Sequence, residues 1–303
     1  MQRVFYYLNA LLSVGFLRVL AYFPYPWVAR FGEILGHLLF FLPTKRKRIV
    51  LVNLQACFPD RSEAQRLQIA HQVFRYVIRS FAERSIFWFA SVNRLRKWVK
   101  VDDQAHIVQL QKAPHIILNM HMMGMEAGAM RLSDYLMDTL QTGGASLYTP
   151  MRNPYFDAFI KKARERFGAR MLPRANQAHA LRYLIRGGAT LQLAPDMDFG
   201  LKNSAFVDFF GVSACTLTAL SRLVRVTGAQ VIPIVTELLP DYQGYKLRIL
   251  PAWEDFPGEN IESDTRRMNI FFESCIASNP AQYYWVHRRF KTRPPGQKPI
   301  YEN

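Results

Sequence analysis

The sequence has few acids, few cysteines and no long apolar run. Asp and Glu total 23 against 39 Lys and Arg in 303 residues, a formal net charge of +16. Such a chain is drawn to something anionic: nucleic acid, acidic lipid head groups or an acidic protein. The 3 cysteines, Cys57, Cys215 and Cys275, lie far apart and form no C-x-x-C pair. That argues against a disulfide framework or a zinc site and makes a reducing compartment the default. The 16 Gly and 17 Pro form no collagen-like or linker-like tract. G-x-S-x-G, G-x-x-x-x-G-K-[ST], G-x-G-x-x-G and H-E-x-x-H are all absent. Elbow-type serine hydrolases, P-loop enzymes, dinucleotide binders and zincins therefore lose support. No uncharged run exceeds the 14 residues of 4–17, whereas a simple membrane span wants about 20 apolar residues.

Half of the residues are hydrophobic and 20% are charged, the composition of a folded chain. Aromatics reach 14%, which suits a membrane interface or an apolar groove. Residues 4–23 approach a spanning length only if Arg18 snorkels to the surface, and Pro24 and Pro26 then end the helix. A single basic residue precedes the stretch and no small-x-small cleavage site follows, so it is a poor secretory signal. Its terminal place and its Tyr, Phe and Trp favour a retained anchor or an in-plane amphipathic segment over a core helix. A second apolar stretch, 34–44, runs into Lys45-Arg46-Lys47-Arg48. That pattern fits contact with an anionic cytoplasmic leaflet and fits a solvated turn as well. The chain divides into residues 1–44, a membrane-associated helical segment, and residues 45–303, a catalytic domain.

Apolar periodicity predicts a helix over 62–91, opened by a capping box of Ser62 and Gln65. From Pro114 onward the pattern changes. Strands over 114–120, 144–148, 169–172, 189–194 and 229–236 alternate with helices over 125–137, 154–167, 176–186 and 216–227, the last ended by Gly228. Alternation of this kind predicts an α/β fold, a layered αβα domain with a largely parallel or mixed central sheet.

The chemistry-bearing residues fall at the strand ends, where open α/β sheets bind ligands. His121 closes one strand and Glu126 opens the next helix. On one regular helix their side chains would diverge by about 140°, so they can meet only across a turn, which Gly124 permits. Glu126 would then fix one imidazole nitrogen while the other takes a proton from a nucleophile. A structural histidine beside an unrelated glutamate is the plainer alternative. Asp196-Met197-Asp198 follows another strand and leads to Lys202. It reads either as a metal site for a nucleotide-sugar diphosphate or as a polar turn positioning substrate. Arg152, in Tyr148-Thr149-Pro150-Met151-Arg152-Asn153-Pro154, can hold a carbonyl oxygen or a phosphate, or be an ordinary surface arginine. The basic, aromatic tail 282–294 suits nucleic-acid bases or a membrane interface. No recognised nucleic-acid-binding motif accompanies it.

Four features together are more specific than any one of them. They are His121…Glu126, the segment from Tyr148 through Arg152-Asn153-Pro154 to Asp157, the block Asp196–Lys202 continuing from Phe206 to Thr216, and the ending Tyr284–Lys291. In this order the chain resembles the lipid A biosynthesis (late) acyltransferase family of the lauroyl/myristoyl type. The likeness runs from the N-terminal stretch to about Gly296. It implies a glycerolphosphate-acyltransferase-like α/β fold. It implies transfer of a fatty acyl chain from an acyl-acyl carrier protein thioester, or from acyl-CoA, to a hydroxyl of a lipid A precursor. By the same likeness His121 is the base and Glu126 its partner. Arg152, Asn153, Asp196, Asp198 and Lys202 bind substrate, with Arg152, Lys202 or backbone amides at the oxyanion, and neither metal nor cofactor is needed. One departure is Tyr148-Thr149-Pro150-Met151-Arg152, where the family more often has Tyr-Arg-Pro. The implied partners are acyl carrier protein, an anionic phosphorylated glycolipid and the membrane, not nucleic acid. The implied place is the cytoplasmic face of a bacterial inner membrane. A lysophospholipid or ornithine lipid acceptor, and a metal-dependent Asp-x-Asp glycosyltransferase, are the competing readings.

Overall fold

Helices occupy the chain before the sheet begins. The computed structural model describes residues 2–105, 114–174, 177–185 and 190–301. Its first helices are α1 (Gln2–Leu20), α2 (Tyr25–Phe40), α3 (Lys45–Cys57) and α4 (Glu63–Phe89). Pro24 and Pro26 do more than end α1: Pro24 caps α2 and Pro26 stands in its first turn, where an N–H would have no intrahelical partner. Ser62 and Gln65 form the expected capping box of α4. The helix α1 is long and apolar enough to cross a membrane, and Ala10 is its one buried residue. The helix α2 instead lies along α4. Gly32 and Gly36 let the two backbones meet, since a Cβ at either would fall 2.5 Å from Arg79 Cα or Phe74 O. Buried Glu33 pairs there with Arg79 at 2.7 Å and Arg75 at 2.5 Å. Of residues 1–44, then, α2 is packed into the domain and α1 stands largely outside it.

The sheet is built from β1 (Val99–Asp103), β2 (His115–Leu118), β3 (Ala145–Tyr148), β4 (Arg170–Pro173), β5 (Thr190–Leu193), β8 (Gln230–Leu238) and β9 (Tyr245–Ile249). Among the described residues its order is β1-β9-β8-β2-β5-β3-β4. Every neighbouring pair is parallel except β8–β9. This is the expected layered α/β architecture. Ile116, Ile117 and Leu118 of β2 are all fully buried, as befits a central parallel strand covered on both faces. Their side chains alternate between two cores. Ile116 and Leu118 join residues of α3, α9 (Ala219–Thr227) and α10 (Ile261–Ser278); Ile117 joins residues of α2, α6 (Met125–Leu140) and α7 (Pro154–Arg164).

Some boundaries differ from the sequence reading. The helix expected over 216–227 begins at Ala219, because its first residues belong to β7 (Val212–Leu217). That strand pairs with β6 (Ser204–Phe209) in a separate hairpin. Its turn uses Phe210 and Gly211, both at positive φ, the conformation a tight hairpin requires. Gly228 ends α9 in the left-handed region, as expected. The stretch 154–167 splits into α7 and a 3₁₀ turn over Glu165–Phe167. Residues 176, 186 and 189, at the ends of the expected spans for α8 (Gln177–Ile185) and β5, lie outside the described residues.

Candidate active site

Strands β2 and β5 are parallel neighbours with Leu118 opposite Leu193. Chains leaving such a pair emerge together at one sheet edge. His121 and Asp196 each stand three residues beyond their strand's last residue, and they meet there. His121 Nδ1 is 2.7 Å from Asp196 Oδ1, and the His121 backbone N–H donates to Oδ2 at 2.9 Å. Tyr283 donates its hydroxyl to the same Oδ2 at 3.0 Å. Asp196 is fully buried. Burial alone would raise its pKa; the neighbouring His121, by its charge and its N–H bonds, outweighs burial and holds the carboxyl at about 2. Facing a carboxylate, Nδ1 carries the imidazole proton, which leaves a lone pair on Nε2. Nε2 has no hydrogen-bond partner among the described residues.

Glu126 lines the same cavity as His121 but does not hold it. Its Oε1 accepts from Trp88 Nε1 and Arg164 Nε, both at 2.8 Å, and its Oε2 accepts from Arg164 Nη2 at 2.6 Å. Burial pushes this carboxyl up, but Arg164, Arg84 and the Trp88 N–H together bring it down to about 2. The expected His121–Glu126 pair is therefore corrected: the carboxylate on the imidazole is Asp196. Glu126 sits in the first turn of α6 and reaches α4 and α7, whereas the carbonyl of His121 is tied to the Tyr284 N–H at 3.0 Å. Gly124 also acts differently from expectation. Its φ is −81, within reach of any residue, and what it supplies is room. A Cβ would come 2.7 Å from Thr236 Cγ2 and from Tyr245 Cδ1.

The other expected site residues separate into two groups. Arg152 and Lys202 are exposed and stand outside the cavity lining. Asn153 caps α7, accepting from Tyr155 N and Phe156 N, and donates from Nδ2 to the Tyr6 carbonyl of α1 at 2.8 Å. Asp198 is buried and accepts from Gly200 N at 2.9 Å, Thr292 N at 2.6 Å and Thr292 Oγ1 at 2.9 Å. The oxygens of both acids of Asp-x-Asp accept from protein N–H and O–H groups, and both fasten the loop to the C-terminal segment. Among the described residues no group of three or more His, Cys, Asp or Glu is placed to hold a metal.

The cavity measures ≈ 520 Å³. Its apolar lining includes Met125, Met130, Leu147 and Met171, and its polar lining includes His121, Arg174 and His287. Burial lowers the His287 pKa to about 4, and its Nε2 accepts from the Asp198 N–H at 3.2 Å. Arg174 makes no side-chain hydrogen bond or ion pair among the described residues and stacks over Phe199, 3.1 Å from the ring centroid. Sequence reasoning missed Trp88, Arg164, Arg174 and the Asp196–Tyr283 contact. For Asp196 a signal existed, in its matching offset from a buried strand. The others require knowing which helices meet.

A largely apolar cavity lined by an imidazole with an unpartnered nitrogen suits proton removal from a hydroxyl beside a bound chain. The family model described as bacterial lipid A biosynthesis acyltransferase matches residues 2–292. The chain is 35% identical over 288 residues to lipid A biosynthesis lauroyltransferase of Escherichia coli (strain K12), covering 94% of this chain and 92% of that one. The myristoyltransferase of the same strain is 30% identical over 278 residues, 90% of this chain and 82% of that one. Among solved structures, the 1-acyl-sn-glycerophosphate acyltransferase of Thermotoga maritima aligns with 80% of this chain and 94% of that one, at 14% identity and a TM-score of 0.37. From a match that runs through every element of the site, it follows that this chain belongs to the bacterial lipid A biosynthesis acyltransferase family.

Proposed function

We propose that this acyltransferase carries a fatty acyl chain from an acyl-acyl carrier protein thioester to a hydroxyl of a lipid A precursor. The observation that carries the mechanism is His121, with Nδ1 on buried Asp196 and Nε2 unpartnered at an apolar cavity. Nε2 takes the proton of the acceptor hydroxyl, and Asp196 stabilises the imidazolium that forms. The oxygen attacks the thioester carbonyl. Arg174, a cavity cation with no carboxylate partner, and backbone N–H groups face the developing oxyanion. The carbon–sulfur bond breaks, and the leaving thiolate takes the proton from His121. The donor chain occupies the apolar wall formed by Met125, Met130, Leu147 and Met171. The route uses no metal and no cofactor. The competing metal-dependent reading loses its donors, because the oxygens of Asp196 and Asp198 are taken by protein N–H and O–H groups.

The same reading places the enzyme on the cytoplasmic face of a bacterial inner membrane, with residues 1–44 as its membrane-associated segment. Support comes from α1 and from α2, whose Trp27, Phe31, Ile34 and Leu38 are exposed. A continuous apolar face of this kind belongs in a lipid interface. The test is acyl transfer by detergent-purified protein given a panel of acyl-carrier-protein thioesters and a lipid A precursor, with products weighed by mass spectrometry. A gain of one acyl group, unaffected by EDTA, is the expected result. No transfer from folded protein, or loss of activity on chelation, would overturn the reading.

A further inference from the structure

A second cavity of ≈ 380 Å³ adjoins the first, and the two share Tyr148, Thr149, Arg164 and Met171 as walls. Its far side is formed by Leu17 of α1 and Phe81 of α4. Arg84 lines it and is chemically unusual. The side chain makes no hydrogen bond and no ion pair among the described residues, and its Nε is buried without a partner. Its guanidinium carbon lies 4.1 Å from the centroid of the Phe81 ring and 5.8 Å from that of Trp88. Burial lowers its pKa.

Among the described residues no carboxylate is bonded to it. Glu126 acts on it by charge, but both its oxygens are hydrogen-bonded to Arg164 and Trp88. Asp157 also lines the cavity; its Oδ1 accepts from the Met151 N–H at 2.8 Å. Lys161 lines the cavity too, paired with Glu165 only at 3.9 Å. The cavity thus has three cations, Arg84, Lys161 and Arg164, against Asp157 on its wall and Glu126 beside it. A desolvated guanidinium without a hydrogen-bonded partner is costly to keep in a fold, and its planar fork matches a phosphate.

We propose that Arg84 binds a phosphate of the acceptor glycolipid. The proposal rests on the acyl-transfer reading above and names where the acceptor's head group sits. A phosphate could come from two sources, the acceptor's sugar or the donor's phosphopantetheine. The wall shared with α1 and Phe81 favours the acceptor, because a lipid reaches the site from the membrane-facing side. The shared residues Tyr148 and Thr149 then place the rest of the acceptor beside the catalytic cavity.

The test uses full-length Arg84→Met in detergent. Methionine keeps an apolar stem and removes an unpaired charge, so the Tm is expected to hold. The KM for a phosphorylated acceptor should rise about tenfold or more, the loss expected for one charge-assisted pair. The KM for the acyl-carrier-protein thioester, and that for an acceptor stripped of phosphate, should not differ from wild type. An unchanged KM for the phosphorylated acceptor would overturn the proposal. So would a rise confined to the donor's KM, which would assign the site to phosphopantetheine. A second readout is independent of turnover: inorganic phosphate should raise the Tm of wild type and not of Arg84→Met. Equal responses would overturn the proposal even where no acceptor is turned over. A Tm response confined to wild type, with no acyl transfer, would leave the anion site standing and place the failure in the acyl-transfer reading.

Discussion

In the proposed mechanism the chemistry at His121 turns on which carboxylate stabilises the imidazolium. Asp196 holds Nδ1 at 2.7 Å, and Glu126 is fastened to Arg164 and Trp88. Asp196→Asn keeps the shape and removes the charge, so kcat should fall by about 10²–10⁴ with little change in KM. Glu126→Gln leaves the imidazole contact intact and deprives Arg164 of its charge partner, so it should act through stability, by about 3 kcal/mol. Measuring kcat and Tm for both variants separates the two roles; the opposite pattern would return Glu126 to the imidazole. Acid supplies a further check. The Glu126 pKa is depressed from 4.5 to about 2 in the fold. The unfolded chain therefore binds the proton first, and the stabilisation present above pH 4.5 is lost as pH falls toward 2. Unfolding midpoints followed across that window should shift less in Glu126→Gln than in wild type. His121 was legible as a cavity residue from its place after a buried strand. Its partner was not, because Asp196 lies 75 positions away and only the β2–β5 register brings it alongside.

The elements that hold this arrangement range from obvious to silent in sequence. The strands β2, β5 and β8 read clearly because each carries a short apolar run that is buried on both faces, although Thr190 and Gln192 interrupt it in β5. The capping box of α4 and the glycine end of α9 were likewise local signals. The helix α2 was hidden. Its apolar outer face resembles an anchor, while the buried Glu33 that ties it to Arg75 and Arg79 looks like a solvated charge until α4 is in place. The β6–β7 hairpin was hidden for a similar reason, since Thr216 and Leu217 read as the start of a helix. The α2–α4 contact makes a direct expectation. Gly36→Leu forces a side chain into the backbone of Phe74 and Arg75 and should lower stability by about 1–3 kcal/mol or more. Thermal denaturation in detergent would measure it, and an unchanged Tm would mean that the two helices are not in contact.

At the scale of the whole molecule, the exposed apolar N-terminal helices and the +16 charge supply two attractions, to lipid and to acid. Salt screens the second far more than the first. The KM for an acidic carrier-protein thioester should therefore rise as ionic strength rises, while the KM for a short acyl-thioester lacking the carrier should hold. Parallel salt dependence for the two donors would remove carrier-protein docking from the account. All of this rests on the reaction assigned to the site. The most direct measurement is acyl transfer to a lipid A precursor by wild type and His121→Ala at matched Tm, with products read by mass. Wild type is expected to give a one-acyl mass gain and the variant a rate at least about 10²-fold lower; near-normal turnover by His121→Ala would contradict the general-base role of this histidine.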